Sequence, residues 1–90
     1  MLMQRNPQII KAVEERLAKV EAEIFNSVEA ADLLGRNSDT ISMHARQRED
    51  TPKPIGRRIS GRNWAFTRQD VLELAKIIAQ GSGRKPYKYV

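Results

Sequence analysis

The spacing of apolar residues predicts a long amphipathic helix near the start of the chain. Asn6 followed by Pro7 is typical of a helix start. Apolar residues then recur at alternating steps of three and four, the a/d pattern of a coiled coil: Ile10, Val13, Leu17, Val20 and Ile24. We predict a helix over residues 7–24. Its apolar stripe either pairs with a second copy as a homodimer interface or packs on its own domain, and the homodimer is favoured.

Residues 27–46 predict two short helices separated by a tight turn. Ser27 is expected to cap the first helix and Gly35 to end it, because glycine adopts positive φ without steric cost. Asn37 would then cap the second helix. Ala31, Gly35 and Ile41 fall at the spacing of a helix-turn-helix, with a small residue where the helices touch and a β-branched side chain packed between them. The second helix would present its outward face to a DNA major groove.

Two prolines predict that the second helix is followed by an extended segment. Pro52 and Pro54 have no backbone N–H and fix φ, so the helix cannot continue through them. Short strand candidates follow at residues 55–59 and 64–66, joined by a glycine-bearing turn at residues 60–63. We therefore predict a β-hairpin, or wing, beside the helix-turn-helix.

The register of this hairpin follows from its turn. If residues 61 and 62 form the turn, Ile59 faces Trp64, and the stem of Arg57 lies along Phe66. The two aromatic rings could instead stack on nucleic-acid bases. At this alternation beside a helix-turn-helix, we expect both rings in the core.

A final helix and a tail complete the predicted organisation. Thr67, with Asp70 three residues later, is a capping-box-like helix start. One apolar face follows it: Val71, Leu74, Ala75 and Ile78. The expected fold is mainly α with a two-stranded β wing. It comprises an N-terminal helix over residues 1–24, a winged helix-turn-helix domain over residues 25–80 and a flexible basic tail over residues 81–90.

Charge is unevenly distributed along the chain, which has a formal net charge of +5. Residues 1–35 carry four Lys or Arg against six Asp or Glu, whereas residues 36–90 carry twelve against five. From Lys53 to Arg68 there are five basic residues and no acidic one. Such a stretch can be an ordinary solvated face, but directly after a helix-turn-helix it favours a surface that meets phosphate.

Composition argues against an enzyme, a metal protein and a membrane protein. The chain of 90 residues fits one small domain. It has no cysteine, and the single His44 cannot form a zinc site alone. No apolar run approaches the roughly 18 residues of a membrane span, so a cytoplasmic protein is expected. Without a phosphate-binding glycine loop or a suitable carboxylate pair, we expect neither enzyme activity nor a cofactor.

The order of these pieces resembles a known family. A helix-turn-helix is followed by Pro-Lys-Pro-Ile, by an arginine-rich hairpin with Arg-Asn-Trp, and by a capped helix containing Asp-Val. Over residues 25–80 the chain resembles the winged-helix domain of MerR-like regulators, small phage excisionases and AlpA-type prophage regulators. In these families the second helix reads the major groove, and the wing touches backbone or minor groove. The resemblance implies DNA-binding roles for Asn37, Ser38, Asp39, Ser42, Met43, Arg46, Arg57, Arg58 and Arg62.

Two further cations join this predicted DNA-binding set. Arg36, directly after the turn glycine, could reach a phosphate, and Lys53 begins the basic stretch. Arg58 and Arg62 have no acidic neighbour within several residues, so both are expected to act on phosphate. His44 occupies a position where a buried hydrophobe is commoner. We expect it either at the edge of the core or in contact with phosphate, and we assign it no chemistry.

Three functions fit these expectations. The favoured one is a sequence-specific transcription regulator, a repressor of a phage, plasmid or mobile element that binds double-stranded DNA. An excisionase or plasmid-partition protein would use the same contacts to bend or coat DNA over several direct repeats. A protein–protein adaptor would retain only the shape of the domain. The long effector-binding coiled coil of many MerR-type sensors is absent, so no small-molecule effector is expected.

Overall fold

Four helices and three short strands form the part of the chain that the computed structural model describes, residues 7–61 and 63–80. They are α1 (Pro7–Ala18), β1 (Ile24–Phe25), α2 (Ser27–Leu34), α3 (Ser38–Arg48), β2 (Arg57–Ser60), β3 (Asn63–Thr67) and α4 (Arg68–Ala79). The strands form an antiparallel sheet in the order β1-β3-β2. The mainly helical class is confirmed, and β1 extends the predicted two-stranded sheet to three strands. The predicted tail and Arg62 lie outside the described residues.

Helix α1 ends at Ala18, well before the predicted end at Ile24. Val13 and Leu17 are 0% and 4% exposed, in a core that α1 shares with α2 and α4. Ile24 lies in β1 and is 56% exposed. The prediction of one helical seam from Ile10 to Ile24 is therefore wrong. The middle of the stripe packs on its own domain, which is the alternative interpretation of the pattern.

The side chain of Arg68 closes the C-terminal end of α1. Its Nη1 donates to the Leu17 carbonyl at 2.8 Å, its Nε donates to the Ala22 carbonyl at 3.1 Å, and its Nη2 donates to the Val20 carbonyl. Leu17 lies in the last turn of α1, where the partial negative charge of helix carbonyls is stabilised by a guanidinium, whereas Val20 and Ala22 lie in the segment that follows the helix. The chain then turns into β1, which pairs with β3.

Helices α2 and α3 are joined by the predicted turn. Asn26 caps α2 in place of the predicted Ser27: its Oδ1 accepts from the Glu29 N–H at 2.8 Å, and Glu29 Oε1 accepts from the Asn26 N–H at 2.9 Å. Gly35 has a φ of 67°, so the predicted positive φ is confirmed. Asn37 caps α3 as predicted, because its side chain accepts from a backbone N–H in the first turn of that helix.

The hairpin between α3 and α4 contains an irregularity near Ile59. Ser60 pairs with Asn63 around the predicted turn, but Arg58 pairs with Trp64, so the register shifts by one residue between the two pairs. A bulge of this kind leaves one residue unpaired and redirects the side chains beyond it. Ile59 is 61% exposed as a result, and the prediction that it faces Trp64 is wrong.

The same shift changes the position of Arg57. It pairs with Ala65 rather than with Phe66, and it is exposed. Because neighbouring residues of a strand point to opposite faces, Arg57 lies on the face away from the buried aromatic rings. The prediction that its stem lies along Phe66 is therefore wrong.

The two aromatic residues of β3 lie in the core, as predicted. Trp64 and Phe66 are buried and stacked, with ring centroids 6.4 Å apart. Gly56 approaches this cluster closely: it has a φ of 80°, and a Cβ at this position would lie 2.5 Å from the Phe66 ring. The predicted capping box of Thr67 and Asp70 starts α4, whose apolar face covers the core.

Candidate nucleic-acid interface

Helix α3 and the hairpin line one cleft of about 740 Å³, together with the start of α2. Among the residues that the sequence predicts for DNA binding, the cleft brings together Ser38, Asp39, Ser42, Arg46 and Arg58. Asn63 adds an exposed amide from β3. The cleft therefore joins the helix and the hairpin in one polar surface.

Three of these residues follow one another along a single face of α3. Asp39, Ser42 and Arg46 are spaced by three and four residues, which places them on one side of a helix. Asp39 and Arg46 are exposed, and neither makes a side-chain hydrogen bond or ion pair with a described residue. Ser42 is half-buried, and its hydroxyl donates to the Ser27 hydroxyl at 3.3 Å. The face offers an acceptor at one end and a cationic donor at the other.

The other residues predicted for α3 and its flanks lie outside the cleft lining. The oxygen of Asn37 is occupied by its capping bonds to the N–H and hydroxyl of Thr40. Arg36 is exposed, and its Nη1 donates to the Gly35 carbonyl at 3.0 Å. Met43 is half-buried. These positions therefore contribute less exposed polar surface than their place in the motif predicts.

Arg58 forms the wall of the cleft on the hairpin side, and Glu49 holds it. Its Nε and Nη2 donate to the two carboxylate oxygens of Glu49 at 2.7 and 2.8 Å, and its Nη1 donates to the Gly61 carbonyl. The guanidinium also lies over the Trp64 ring, 4.7 Å from the centroid. This hydrogen bonding lowers the pKa of Glu49 and raises the pKa of Arg58. Arg58 is thus a paired cation, whereas the sequence predicts one free for phosphate.

Besides Arg36 and Arg46, two cations of the predicted set are exposed and form no ion pair with a described residue. Lys53 follows α3, and Arg57 lies on the outer face of β2. Neither makes an ion pair with a residue in the described ranges. Arg62, predicted at the tip of the hairpin, belongs to the residues that the structure leaves undescribed.

His44 lies in the core, one of its two expected positions, on the inner side of α3. It is buried, and Arg48 donates from Nη1 to its carbonyl oxygen at 3.1 Å, with the same atom 3.4 Å from its Nδ1. Burial lowers the pKa of His44, and the charge of Arg48 lowers it further. Within the described part of the chain, no group of three or more His, Asp or Glu residues could hold a metal ion.

Comparison of the chain with protein-family models, with curated proteins and with solved structures gives no match. The resemblance to MerR-like domains therefore stays a prediction from the sequence motifs. No helix among the described residues is long and apolar enough to cross a membrane.

Two arginines, Arg16 and Arg68, stabilise the fold by donating hydrogen bonds to backbone carbonyls. Composition alone does not distinguish them from the arginines predicted to bind DNA. Arg16 donates from Nη1 to the Leu33 carbonyl at 2.6 Å and so stabilises the C-terminal end of α2. Arg68 does the same for α1 and also lies 3.4 Å from a carboxylate oxygen of Glu23. Sequence alone gives no signal for these contacts, because the partners are backbone carbonyls on other elements.

Proposed function

We propose that this chain is a sequence-specific DNA-binding protein with a winged helix-turn-helix arrangement. In this proposal α2 and α3 are the helix-turn-helix, α3 enters the major groove, and the β2–β3 hairpin is the wing. The observation that carries the proposal is the polar face of α3, with Asp39, Ser42 and Arg46 along a cleft whose other wall is the hairpin. Asp39 and Arg46 make no hydrogen bond or ion pair with a described residue, so DNA would supply their hydrogen-bond partners.

The dimensions of α3 suit this role. Its 11 residues span about 16 Å at about 1.5 Å per residue, and its width of about 10–12 Å matches a major groove about 12 Å wide. The N-terminal end carries short polar side chains, Ser38 and Asp39, which allow close approach to base edges. Arg46, two turns later, can reach a guanine edge or a flanking phosphate.

The wing would act on the DNA backbone through its outer face. Arg57 and Lys53 are exposed and unpaired among the described residues, so they are available to phosphate. Arg58 would serve mainly to fix the hairpin against α3, because Glu49 and Trp64 already contact its guanidinium. The wing therefore depends on fewer free cations than its arginine content suggests.

Within this proposal, a transcription repressor that occludes a promoter is the simplest function. The burial of Val13 and Leu17 favours a second candidate, an excisionase or partition protein. A single module covers only roughly 600–1,000 Å² of protein surface on DNA, and the middle of the N-terminal stripe, Val13 and Leu17, packs internally. Copies arranged on direct repeats would supply specificity without a homodimer interface along that stripe.

The proposal is tested by selecting duplexes from a randomised library with the full chain and footprinting the selected site. Arg46→Ala is expected to weaken binding to that site by roughly 5- to 150-fold, because one base or phosphate contact is lost. Lys11→Ala is the matched control: it removes from α1 an exposed cation that has no partner among the described residues, and it should leave affinity nearly unchanged. A single protected palindrome supports the repressor, and cooperative protection of direct repeats supports the second candidate. Equal affinity of Arg46→Ala and wild type, with both folded, would contradict the placement of α3.

A further inference from the structure

The polar face of α3 carries one feature that general attraction to DNA does not explain. Asp39 places a carboxylate in the cleft that also contains Arg46, and it forms no ion pair with any cation in the described ranges. A carboxylate beside phosphates is repelled by them. It can contribute to binding only where it accepts hydrogen bonds from a group on the DNA.

We propose that Asp39 and Arg46 together select a cytosine and a guanine, with the cytosine at the N-terminal end of α3. This inference rests on the proposed DNA-binding function. The carboxylate of Asp39 can only accept hydrogen bonds, and the guanidinium of Arg46 can only donate them. The two ends of the same helix face therefore demand opposite chemistry from the base edges that they meet.

The major groove offers few donors to a carboxylate. They are the N4 amino group of cytosine and the N6 amino group of adenine. In adenine the amino group stands beside N7, an acceptor that would face one oxygen of the carboxylate. Cytosine presents its amino group without such a neighbour on the same base, so Asp39 prefers cytosine. Arg46 prefers guanine, whose O6 and N7 both accept from one guanidinium.

The helix geometry sets the distance between the two selected bases. Asp39 and Arg46 are seven residues apart, which is about 10.5 Å along an α-helix. Base pairs stack at about 3.4 Å, so the selected base pairs should be about three steps apart. Ser42 lies between them on the same face, and a hydroxyl can donate or accept, so it adds little discrimination.

A purely structural role for Asp39 leads to a different expectation. Asp39 lies in the first turn of α3, where a carboxylate suits the helix dipole. In that case its removal would lower the stability of the chain and leave the preferred DNA sequence unchanged. The sequence preference itself, rather than affinity alone, therefore separates the two roles.

The experiment is selection from a randomised duplex library, followed by sequencing, with full-length wild type, Asp39→Asn and Arg46→Ala. Wild type should enrich a cytosine and a guanine about three steps apart. Asp39→Asn should lose the preference for cytosine by roughly 5- to 150-fold, shift toward adenine, which suits an amide, and keep the guanine. Arg46→Ala should lose the guanine and keep the cytosine.

Asp32→Asn is the matched control, because Asp32 is an exposed carboxylate on α2 that lines a different pocket. It should keep both preferences. An unchanged preference in folded Asp39→Asn would overturn the inference while leaving the proposed function intact. Binding without any sequence preference would overturn the inference and also the sequence specificity of the proposed function, and no binding to any duplex would overturn DNA binding altogether.

Discussion

Truncation of Leu17 tests whether the N-terminal stripe belongs to the core of its own domain. Leu17 is 4% exposed and packs with residues of several elements, so Leu17→Ala removes buried methyl groups and leaves a cavity. Such changes cost about 2–5 kcal/mol, and we expect about 3 kcal/mol here. The total stability of a small domain is about 5–15 kcal/mol, so the variant should remain folded but unfold at markedly lower urea concentration.

Ile24→Ala is the matched control, since Ile24 belongs to the same sequence stripe but is 56% exposed in β1. It should change the free energy of unfolding by no more than about 0.5 kcal/mol. Urea unfolding followed by circular dichroism and by the fluorescence of Trp64 gives both values. The midpoints should not depend on protein concentration. Equal losses of unfolding free energy in the two variants, with urea midpoints that rise with protein concentration, would refute internal packing. They would support a homodimer interface along the stripe instead.

Two further predictions concern His44 and the wing. Burial lowers the folded-state pKa of His44, so at a pH just below about 6.5 the unfolded chain binds more protons than the folded chain. The free energy of unfolding should therefore decrease as pH falls through this range and level off below the folded-state pKa. The urea midpoints of His44→Gln should not show this decrease, and a pH profile identical to that of wild type would contradict the prediction. For the wing, Arg57→Ala should lower the slope of log affinity against log salt by about 1. Glu49→Gln should raise this salt slope by about 1, because Arg58 loses its carboxylate partner and becomes available to phosphate. Unchanged slopes for both variants would place the hairpin away from DNA.

Local signals in the sequence were sufficient for the turn and for most helix starts. Gly35 and Asn37 occupy the positions predicted for them because each requirement involves only neighbouring residues. The exception is α2, which is capped by Asn26 and not by the predicted Ser27, and the reason is visible in the local sequence. Asn26 stands three residues before Glu29, which is the capping-box spacing, whereas the corresponding residue for Ser27 is Ala30.

The features that sequence could not provide depend on contacts between distant elements. The apolar residues recur as far as Ile24, but α1 ends at Ala18, and the Leu17 carbonyl in its last turn accepts from Arg68, which is 51 residues away in the sequence. The bulge at Ile59 reverses which arginine faces the aromatic rings, and no local residue pattern marks it. Within the candidate site, the face of α3 follows from helical spacing, whereas the pairing of Arg58 required the folded positions of two elements.

The partners of the arginines limit how much of the net charge of +5 can act on DNA. Arg16 and Arg68 stabilise the ends of α2 and α1 by donating to backbone carbonyls, and Arg48 donates to the carbonyl of His44 within α3. The guanidinium groups of these three side chains therefore already have hydrogen-bond partners within the fold. Counterion release depends on the phosphates actually contacted rather than on net charge. In the proposed complex, base contacts by Asp39 and Arg46 must therefore contribute a larger share of the binding free energy than the basic composition suggests.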